Sequence, residues 1–309
     1  ALAQSGTLIR VFGSNPCGDG QDKTINITIG SFNAVNIGSD RSSCAVDAVN
    51  LSAAFQGATN SVTWSVQGGT TTGTFSGTTA NGNATTFTPN AAGTVLIRAT
   101  TNKPSGSCNT ATYDEFTLTV RPLPTVTING STTICSGTSA NLTLNATPNT
   151  TITYNINGGS NQTFGVGGTG TTPTSFSFPT SVLSSNSTFN LVDVAYTAAP
   201  ACTQTASGSA TVSVNPAAVV NAGLDQSICS NSTATMAATF SGGATGGSWT
   251  TTGTGSFSNN NSPTAVYTPS PADISAGSVN LIFSSTGQSS PCIVVRDTMV
   301  LTISPAATV

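Results

Sequence analysis

Residues 220–229 read Val-Asn-Ala-Gly-Leu-Asp-Gln-Ser-Ile-Cys, and they begin a stretch whose landmarks also occur earlier in the chain. Trp249 follows Cys229 by twenty residues, Cys292 follows it by 63, and the run Met299-Val-Leu-Thr-Ile303 comes next. Alternation of apolar and polar residues over so short a run indicates a half-buried β-strand. The stretch therefore predicts a β-rich unit of about ninety residues that has a cysteine near each end.

The same landmarks repeat at regular distances. Opening and closing cysteines are separated by 64, 67 and 63 residues in the pairs Cys44 and Cys108, Cys135 and Cys202, and Cys229 and Cys292. Nineteen or twenty residues after each opening cysteine stands a large aromatic residue: Trp64, Tyr154 or Trp249. Such spacing indicates one module written three times. We predict module 1 over residues 31–122, module 2 over 123–216 and module 3 over 217–305.

The two ends of the sequence fit the same repeat. Residues 5–12 align with residues 276–283, and Cys17 takes the place of a closing cysteine, so residues 1–30 match the last third of a preceding module. Residues 306–309 match the start of another module. The sequence is interpreted as a window from a longer array, and Cys17 has no partner within its own module. An alternative is that Ala1-Leu-Ala3 ends a cleaved signal peptide and that the first strands complete a neighbouring subunit.

Composition favours extracellular β-structure. Charged residues make up 6% of the 309 residues, histidine is absent, and β-branched residues alternate with polar ones, as in Phe116-Thr-Leu-Thr-Val120. About seven short strands with turn signals between them predict a sandwich in each module. We therefore predict an all-β fold of tandem immunoglobulin-like β-sandwich modules arranged end to end, with little or no helix. A disordered tract would not need the alternation or the paired cysteines.

The sequence also argues against several functions. A net charge of −3 with seven basic residues does not resemble a nucleic-acid-binding protein, and no apolar run reaches the roughly 18 residues of a membrane span. Ten carboxylates are scattered along the chain without histidine or a serine-centred motif. We therefore expect no catalysis and no cofactor.

In an exported protein, one opening and one closing cysteine in each module indicate disulfides. We predict the bonds Cys44–Cys108, Cys135–Cys202 and Cys229–Cys292, and a partner upstream of the window for Cys17. Each bond would close a loop of roughly 65 residues and contribute about 4 kcal/mol in the chain-entropy model. Buried free thiols or a metal site are alternatives, but no histidine and no closely spaced cysteine pair supplies metal ligands.

The repeated aromatic residues Trp64, Tyr154 and Trp249 are predicted to fill the module cores, since their distance from the opening cysteine is fixed. The alternative is a set of sugar-stacking platforms.

Four aspartates occur as pairs in modules 1 and 3 and are missing from module 2. Asp40 and Asp225 precede the opening cysteines, and Asp114 and Asp297 follow the closing ones. Residues that occur together are expected to share a location. Hydrogen-bonded carboxylates, or pairs with Arg41 or Arg296, are favoured over a calcium site.

Several of these segments resemble a known family. The pattern of residues 220–229, Gly247-Ser-Trp249, and residues 265–279 and 297–305 resemble the polycystic-kidney-disease-like and immunoglobulin-like repeats of very long Bacteroidota surface proteins, including gliding-motility adhesins. The resemblance is close over module 3, looser over module 1 and weakest over module 2, where Tyr154 replaces tryptophan. It implies type IX secretion and display as a stalk or fibre. Asp297-Thr298-Met299 resembles an O-glycosylation signal of these bacteria, which makes Thr298 a candidate glycosylation site.

We expect a non-catalytic stalk or fibre segment of a bacterial surface adhesin, extracellular and either attached to the outer membrane or released. Linker prolines Pro122, Pro216 and Pro305 predict a stiff rod of about 100 Å. Alternatives are a self-assembling filament subunit and a carbohydrate- or surface-binding module. Expected partners are adjacent repeats of the chain, with copies of itself or surface polysaccharide as further candidates.

Overall fold

The computed structural model describes residues 7–11, 13–21, 23–27, 34–56, 61–77, 82–102 and 111–306. The chain forms two compact units. The first unit comprises residues 1–124 and 195–204, and the second comprises residues 125–194 and 205–309. A short segment that belongs by sequence to module 2 is therefore part of the first unit.

The first described residues form a β-hairpin. Its strands are β1 (Thr7–Val11) and β4 (Lys23–Ile27), with the two-residue strands β2 (Ser14–Asn15) and β3 (Gly18–Asp19) between them. Thr7 pairs with Ile27, as Ser278 pairs with Thr302 in module 3. Thr7 aligns with Ser278 in the match of residues 5–12 to residues 276–283, and Ile27 aligns with Thr302 when Cys17 is placed on Cys292. The hairpin therefore pairs the residues that correspond to a pair in the closing hairpin of module 3.

Module 1 consists of strands from two sheets and a further strand pair. The strands are β5 (Ala34–Asn36), β6 (Arg41–Cys44), β7 (Val49–Ser52), β8 (Ala54–Gln56), β9 (Val62–Gly69), β10 (Gly73–Ser76), β11 (Ala84–Pro89), β12 (Gly93–Thr101) and β13 (Tyr113–Arg121). One sheet has the order β6-β13-β12-β9 and the other β10-β11-β7, while β5 pairs with β8.

Module 2 has the same plan. Its strands are β14 (Val126–Asn129), β15 (Thr132–Cys135), β16 (Asn141–Ala146), β17 (Thr150–Ile156), β18 (Asn161–Val166), β19 (Thr174–Pro179), β20 (Ser187–Tyr196), β21 (Thr203–Thr205) and β22 (Ser209–Asn215). One sheet has the order β15-β22-β20-β17-β18, with β21 beside β20, and the other has the order β14-β16-β19.

Module 3 repeats the plan and adds a helix. Its elements are β23 (Ala218–Asn221), β24 (Gln226–Cys229), β25 (Ala234–Thr235), β26 (Thr239–Gly242), β27 (Gly246–Thr251), β28 (Ser256–Phe257), β29 (Val266–Thr268), α1 (Pro271–Ala276), β30 (Ser278–Thr286) and β31 (Arg296–Ser304). The sheets have the orders β24-β31-β30-β27 and β25-β29-β28, and β23 pairs with β26.

In all three modules the first strand is divided into two parts. The first part (β5, β14 or β23) pairs antiparallel, and the second (β6, β15 or β24) pairs parallel with the last strand of the module. Between the parts lies a glycine with positive φ: Gly38 (87°), Gly130 (99°) or Gly223 (90°). Glycine adopts this conformation without a steric penalty, so the chain can leave one sheet and enter the other. The architecture is all-β with tandem immunoglobulin-like sandwiches, as the sequence predicts.

Each module has its own hydrophobic core. The three clusters of buried side chains come from residues 37–120, 126–212 and 222–303. Alternation along the strands produces them, as in β12, where Val95, Ile97 and Ala99 are fully buried. Burial of a large apolar side chain contributes roughly 1.5–3 kcal/mol, so every module contains a substantial stabilising core.

The one helix found in the described residues is short and strongly capped. The Ser270 hydroxyl accepts from the Asp273 amide, the Asp273 carboxylate accepts from the Ser270 amide, and Pro271 begins the helix. Gly277, with φ of 75°, ends it. Serine followed three residues later by an acidic residue is a helix-start signal, and the sequence analysis assigned no helix here.

Candidate functional site

The two disulfides in the described part of the chain join cysteines of successive modules. Cys44 of module 1 is bonded to Cys202 of module 2, and Cys135 of module 2 is bonded to Cys292 of module 3. The sequence separations are 158 and 157 residues, and the Cα–Cα distances are 5.5 and 5.0 Å. The predicted pairs Cys44–Cys108, Cys135–Cys202 and Cys229–Cys292 are therefore wrong. Cys17 and Cys229 are exposed free thiols, and Cys108 lies outside the described residues.

Strand direction explains why a module does not close its own disulfide. In module 3, β24 runs parallel to β31, and Cys229 pairs with Ser304, the last residue of β31. Cys292 precedes the first residue of the same nine-residue strand. At about 3.4 Å per residue the two cysteines are separated by roughly 30 Å along the sheet, whereas a disulfide needs Cα atoms within about 7 Å. The spacing of the cysteines does not reveal this parallel pairing.

The junction in the second unit has three contacts around the disulfide. Asn215, which pairs with Cys135, donates its side-chain amide to the carbonyl oxygen of Ser290 at 2.8 Å. The buried Cys292 sulfur lies 3.6 Å from the carbonyl oxygen of Asn215 and 3.4 Å from that of Pro216. The closing loop of module 3 is therefore fixed to the end of module 2 and to the linker proline.

The junction in the first unit uses the same positions with different chemistry. Arg121, which pairs with Cys44, donates Nη1 to the carbonyl oxygens of Ala198 at 2.9 Å and Pro200 at 3.4 Å. Its guanidinium also lies 3.4 Å from the centroid of the Tyr196 ring, a cation–π contact. Pro200 stands two residues before its closing cysteine, as Ser290 does. In both junctions, therefore, the residue opposite the opening cysteine donates to the backbone carbonyl two residues before the closing cysteine.

The sequence analysis missed both of these contact residues. Arg121 and Asn215 each stand directly before a linker proline, as does Ser304 in module 3. That shared position could have identified them.

The four paired aspartates connect the first strand of a module to its last strand. Their carboxylates accept from backbone amides at 2.8 or 2.9 Å: Asp40 from Thr117, Asp114 from Ile37, Asp225 from Val300, and Asp297 from Ala222. In module 2 the hydroxyl of Ser131 takes the position of Asp40 and accepts from the Thr211 amide at 3.0 Å. The carboxylates are thus hydrogen-bonded, and the described residues contain no cluster of three metal-ligating side chains.

Arg41 is not paired with Asp40 in the described structure. Its guanidinium donates to the carbonyl oxygen of Ile37 at 2.6 Å and lies 4.8 Å from the centroid of the Phe116 ring. Arg41 therefore also connects the divided first strand of module 1 to Phe116 on the last strand, β13.

Removing one of these carboxylates should weaken its module by a small amount. We expect Asp40→Ala to lower the free energy of unfolding by about 1 kcal/mol, because the Thr117 amide loses its acceptor. Urea unfolding of both variants measures the effect. Asp47→Ala is the matched control, since Asp47 is an exposed carboxylate of the same module with no side-chain hydrogen bond found in the described residues. Equal losses in the two variants would contradict a specific role for Asp40.

The repeated aromatic residues lie in or against the cores. Trp249 on β27 is almost completely buried, with its ring 5.7 Å from that of Phe257 and 5.0 Å from that of Phe283. Trp64 on β9 is 9% exposed and donates Nε1 to the carbonyl oxygen of Gly82 at 2.6 Å. These positions leave neither tryptophan face available for stacking on a sugar.

Tyr154 is half-buried on β17 at the position of the tryptophans. Its ring packs edge-on against Phe178 at 5.0 Å, and its hydroxyl donates to the Gln162 side chain at 3.1 Å. Burial raises the pKa of its phenol.

Thr298 is exposed on β31. The neighbouring Asp297 carboxylate is already engaged by the Ala222 amide. O-glycosylation of Thr298 stays a prediction.

Asp273 is a buried carboxylate that the sequence analysis did not single out. Besides capping α1, it accepts hydrogen bonds from the backbone amides of Thr254 at 3.0 Å and Gly255 at 2.9 Å, and from the Tyr267 hydroxyl at 2.8 Å. Burial by itself would raise the pKa of the Asp273 carboxyl, but the donated hydrogen bonds outweigh it and hold the pKa below its ordinary value. Asp273 is therefore a structural anion that connects α1 to the loop before β28.

No helix within the described ranges combines the length and the apolar character that a membrane span requires.

Solved structures to which this chain is similar include tandem immunoglobulin domains. No family model and no curated protein matches the sequence. Among solved structures, an I-band fragment of titin is 12% identical, with 91% of this chain and 100% of that chain covered and a TM-score of 0.43. Immunoglobulin domains 1–5 of Sidekick-1 are 13% identical, with 99% and 68% covered and a TM-score of 0.36. The N-terminal eight immunoglobulin domains of DSCAM are 13% identical, with 96% and 40% covered and a TM-score of 0.37. These similarities identify no ligand or partner for this chain.

Proposed function

We propose that this chain is a non-catalytic structural segment of an extracellular tandem-repeat protein, a stalk or fibre segment of a bacterial surface adhesin. The observation that carries the proposal is the staggered pair of disulfides, each of which joins the opening cysteine of one module to the closing cysteine of the next. A spacer that projects a distal tip has to transmit tension without lengthening, and covalent bonds across module boundaries serve that purpose.

The two disulfides overlap along the chain, and this limits how far it can be stretched. Without them, Cys44 and Cys292 are connected by 248 residues of backbone. With them, the shortest covalent path runs from Cys44 through Cys202, back along 67 residues to Cys135, and across to Cys292. Complete unfolding therefore releases about 181 fewer residues, or roughly 600 Å at about 3.5 Å per residue.

Compartment and composition support the extracellular part of the proposal. Structural disulfides persist in oxidising environments such as the bacterial periplasm and the cell exterior. The resemblance to Bacteroidota surface repeats supports type IX export and an adhesin of the gliding-motility type. The burial of Trp64 and Trp249 gives a carbohydrate-binding function no support.

Single-molecule force spectroscopy on the chain tests the proposal. Pulled from its two ends under oxidising conditions, the chain should stop extending roughly 600 Å short of the length that it reaches in reductant. Cys229→Ser is the matched control and should behave like the parent chain, because Cys229 is a free thiol. Equal final lengths with and without reductant would overturn the proposal. Light scattering of the same sample distinguishes a single chain from the alternative, a self-assembling filament.

A further inference from the structure

The three opening cysteines occupy equivalent places at the ends of their modules. Each is the last residue of a strand that runs parallel to the closing strand, and the facing residues are Arg121, Asn215 and Ser304. The amide after each cysteine donates to the carbonyl oxygen of that facing residue, at 2.8, 2.8 and 2.9 Å. The backbone at Cys229 is therefore built like the backbone at Cys44 and Cys135.

Two of these three strand ends are occupied in the same manner. At each, the opening cysteine is bonded to the closing cysteine of the next module, and the facing side chain donates to the carbonyl two residues before that cysteine. At the third strand end, Cys229 is exposed and unbonded, and the facing Ser304 is exposed with a hydroxyl that can donate. Pro305 follows in the place of Pro216, whose carbonyl contacts the Cys292 sulfur.

We propose that the end of module 3, formed by Cys229, Ser304 and Pro305, is a covalent attachment site for the closing-cysteine loop of a further module of the same type. The partner follows residue 306 on the same polypeptide. In both occupied junctions the partner cysteine lies 157 or 158 residues downstream in the same chain. The Ala306 amide donates to the Ser230 hydroxyl at 3.1 Å, so the chain leaves module 3 directly beside the free thiol.

The bond forms by thiol–disulfide exchange with a small disulfide such as oxidised glutathione. The Cys229 thiolate attacks one glutathione sulfur, which breaks the glutathione disulfide and releases one glutathione thiolate. The thiolate of the closing cysteine then attacks the Cys229 sulfur and releases the second. The two protein thiols lose two electrons and two protons, and two glutathione thiols are formed.

The inference deepens the proposed function by naming the partner of its free strand end. To test it, residues 1–306 are extended by a second copy of residues 218–306, which continues the repeat after Ala306. In that copy, Cys229→Ser removes the opening cysteine, so the original Cys229 is the opening cysteine that can bond to the closing cysteine of the copy. The exposed Ile293→Val change gives the appended closing loop a distinct mass. The extended chain is oxidised in glutathione buffer, blocked with N-ethylmaleimide and mapped by mass spectrometry.

We expect the original Cys229 to be linked to the mass-labelled Cys292 of the copy, with loss of its N-ethylmaleimide adduct. A matched extended chain whose copy carries Cys292→Ser should retain that adduct. An unbonded Cys229, a bond from Cys229 to Cys17, or a bond to a second molecule would overturn the inference.

The same map separates the two proposals. If Cys135 remains bonded to the unlabelled Cys292 while Cys229 stays free, the inference fails and the proposed function stands. Loss of both original disulfides would overturn both.

Discussion

Replacing Cys135 and Cys292 together with serine is expected to lower the free energy of unfolding of the second unit by about 5 kcal/mol. The disulfide closes a loop across 157 residues, and in the chain-entropy model a loop of this length stabilises the folded state by about 5 kcal/mol. Replacing both cysteines avoids a free thiol at the junction, which could form non-native bonds. Unfolding in guanidinium chloride, followed by tryptophan fluorescence, measures the change.

Cys229→Ser is the matched control for this prediction. Cys229 ends a parallel strand as Cys135 does, but it forms no disulfide, so its replacement should change the free energy of unfolding by less than about 0.5 kcal/mol. If the double variant unfolded at the same denaturant concentration as the parent chain, the cross-module bond would have no stabilising role.

Asp273→Asn is expected to lower the free energy of unfolding of the second unit by about 3 kcal/mol. The carboxylate accepts from the amides of Thr254, Gly255 and Ser270 and from the Tyr267 hydroxyl. Asparagine places an NH₂ group where one carboxylate oxygen accepts, so buried donors lose their acceptor and face another donor. Asp225→Asn is the control, because Asp225 is exposed and accepts one backbone amide, from Val300. Equal losses in the two variants would contradict the special role of the buried carboxylate.

The Asp273 carboxyl also gives the stability of the second unit a defined dependence on pH. Its pKa is lower in the folded chain than in the unfolded chain, so the unfolded chain binds the proton more readily. The stabilisation is complete above the ordinary aspartate pKa and is lost as the pH falls through the lower, folded pKa. Acid unfolding should therefore show a smaller loss of stability in Asp273→Asn than in the parent chain. An identical acid dependence in the two proteins would contradict this assignment.

The sequence predicts the strands well because each strand of a sandwich has one buried and one exposed face, so apolar and polar residues alternate along it. The alternation in Thr298-Met-Val-Leu-Thr-Ile303 marks one face of β31, and the structure buries Met299, Leu301 and Ile303 on that face. The short helix α1 has a start signal in Ser270-Pro-Ala-Asp273, but this signal covers only four residues, and the sequence analysis assigned no helix there.

The pairing of the cysteines could not be predicted from their spacing. Cys229 and Cys292 are 63 residues apart, a distance that suits an intramodule bond, but the parallel pairing of β24 and β31 puts them at opposite ends of the sheet. Strand direction is a property of the folded sheet and has no local pattern. The roles of Arg121 and Asn215 depend on the same fact, since each gains its partner through the register of the parallel strands.

The overlap of the two disulfides also determines what a protease can do to this segment. A single peptide-bond cut between Cys44 and Cys202 leaves the fragments linked by the first disulfide, and a cut between Cys135 and Cys292 leaves them linked by the second. The two ranges overlap, so one nick anywhere from Cys44 to Cys292 does not sever the molecule. A surface fibre built this way would keep its tip after damage to any single exposed loop in that range.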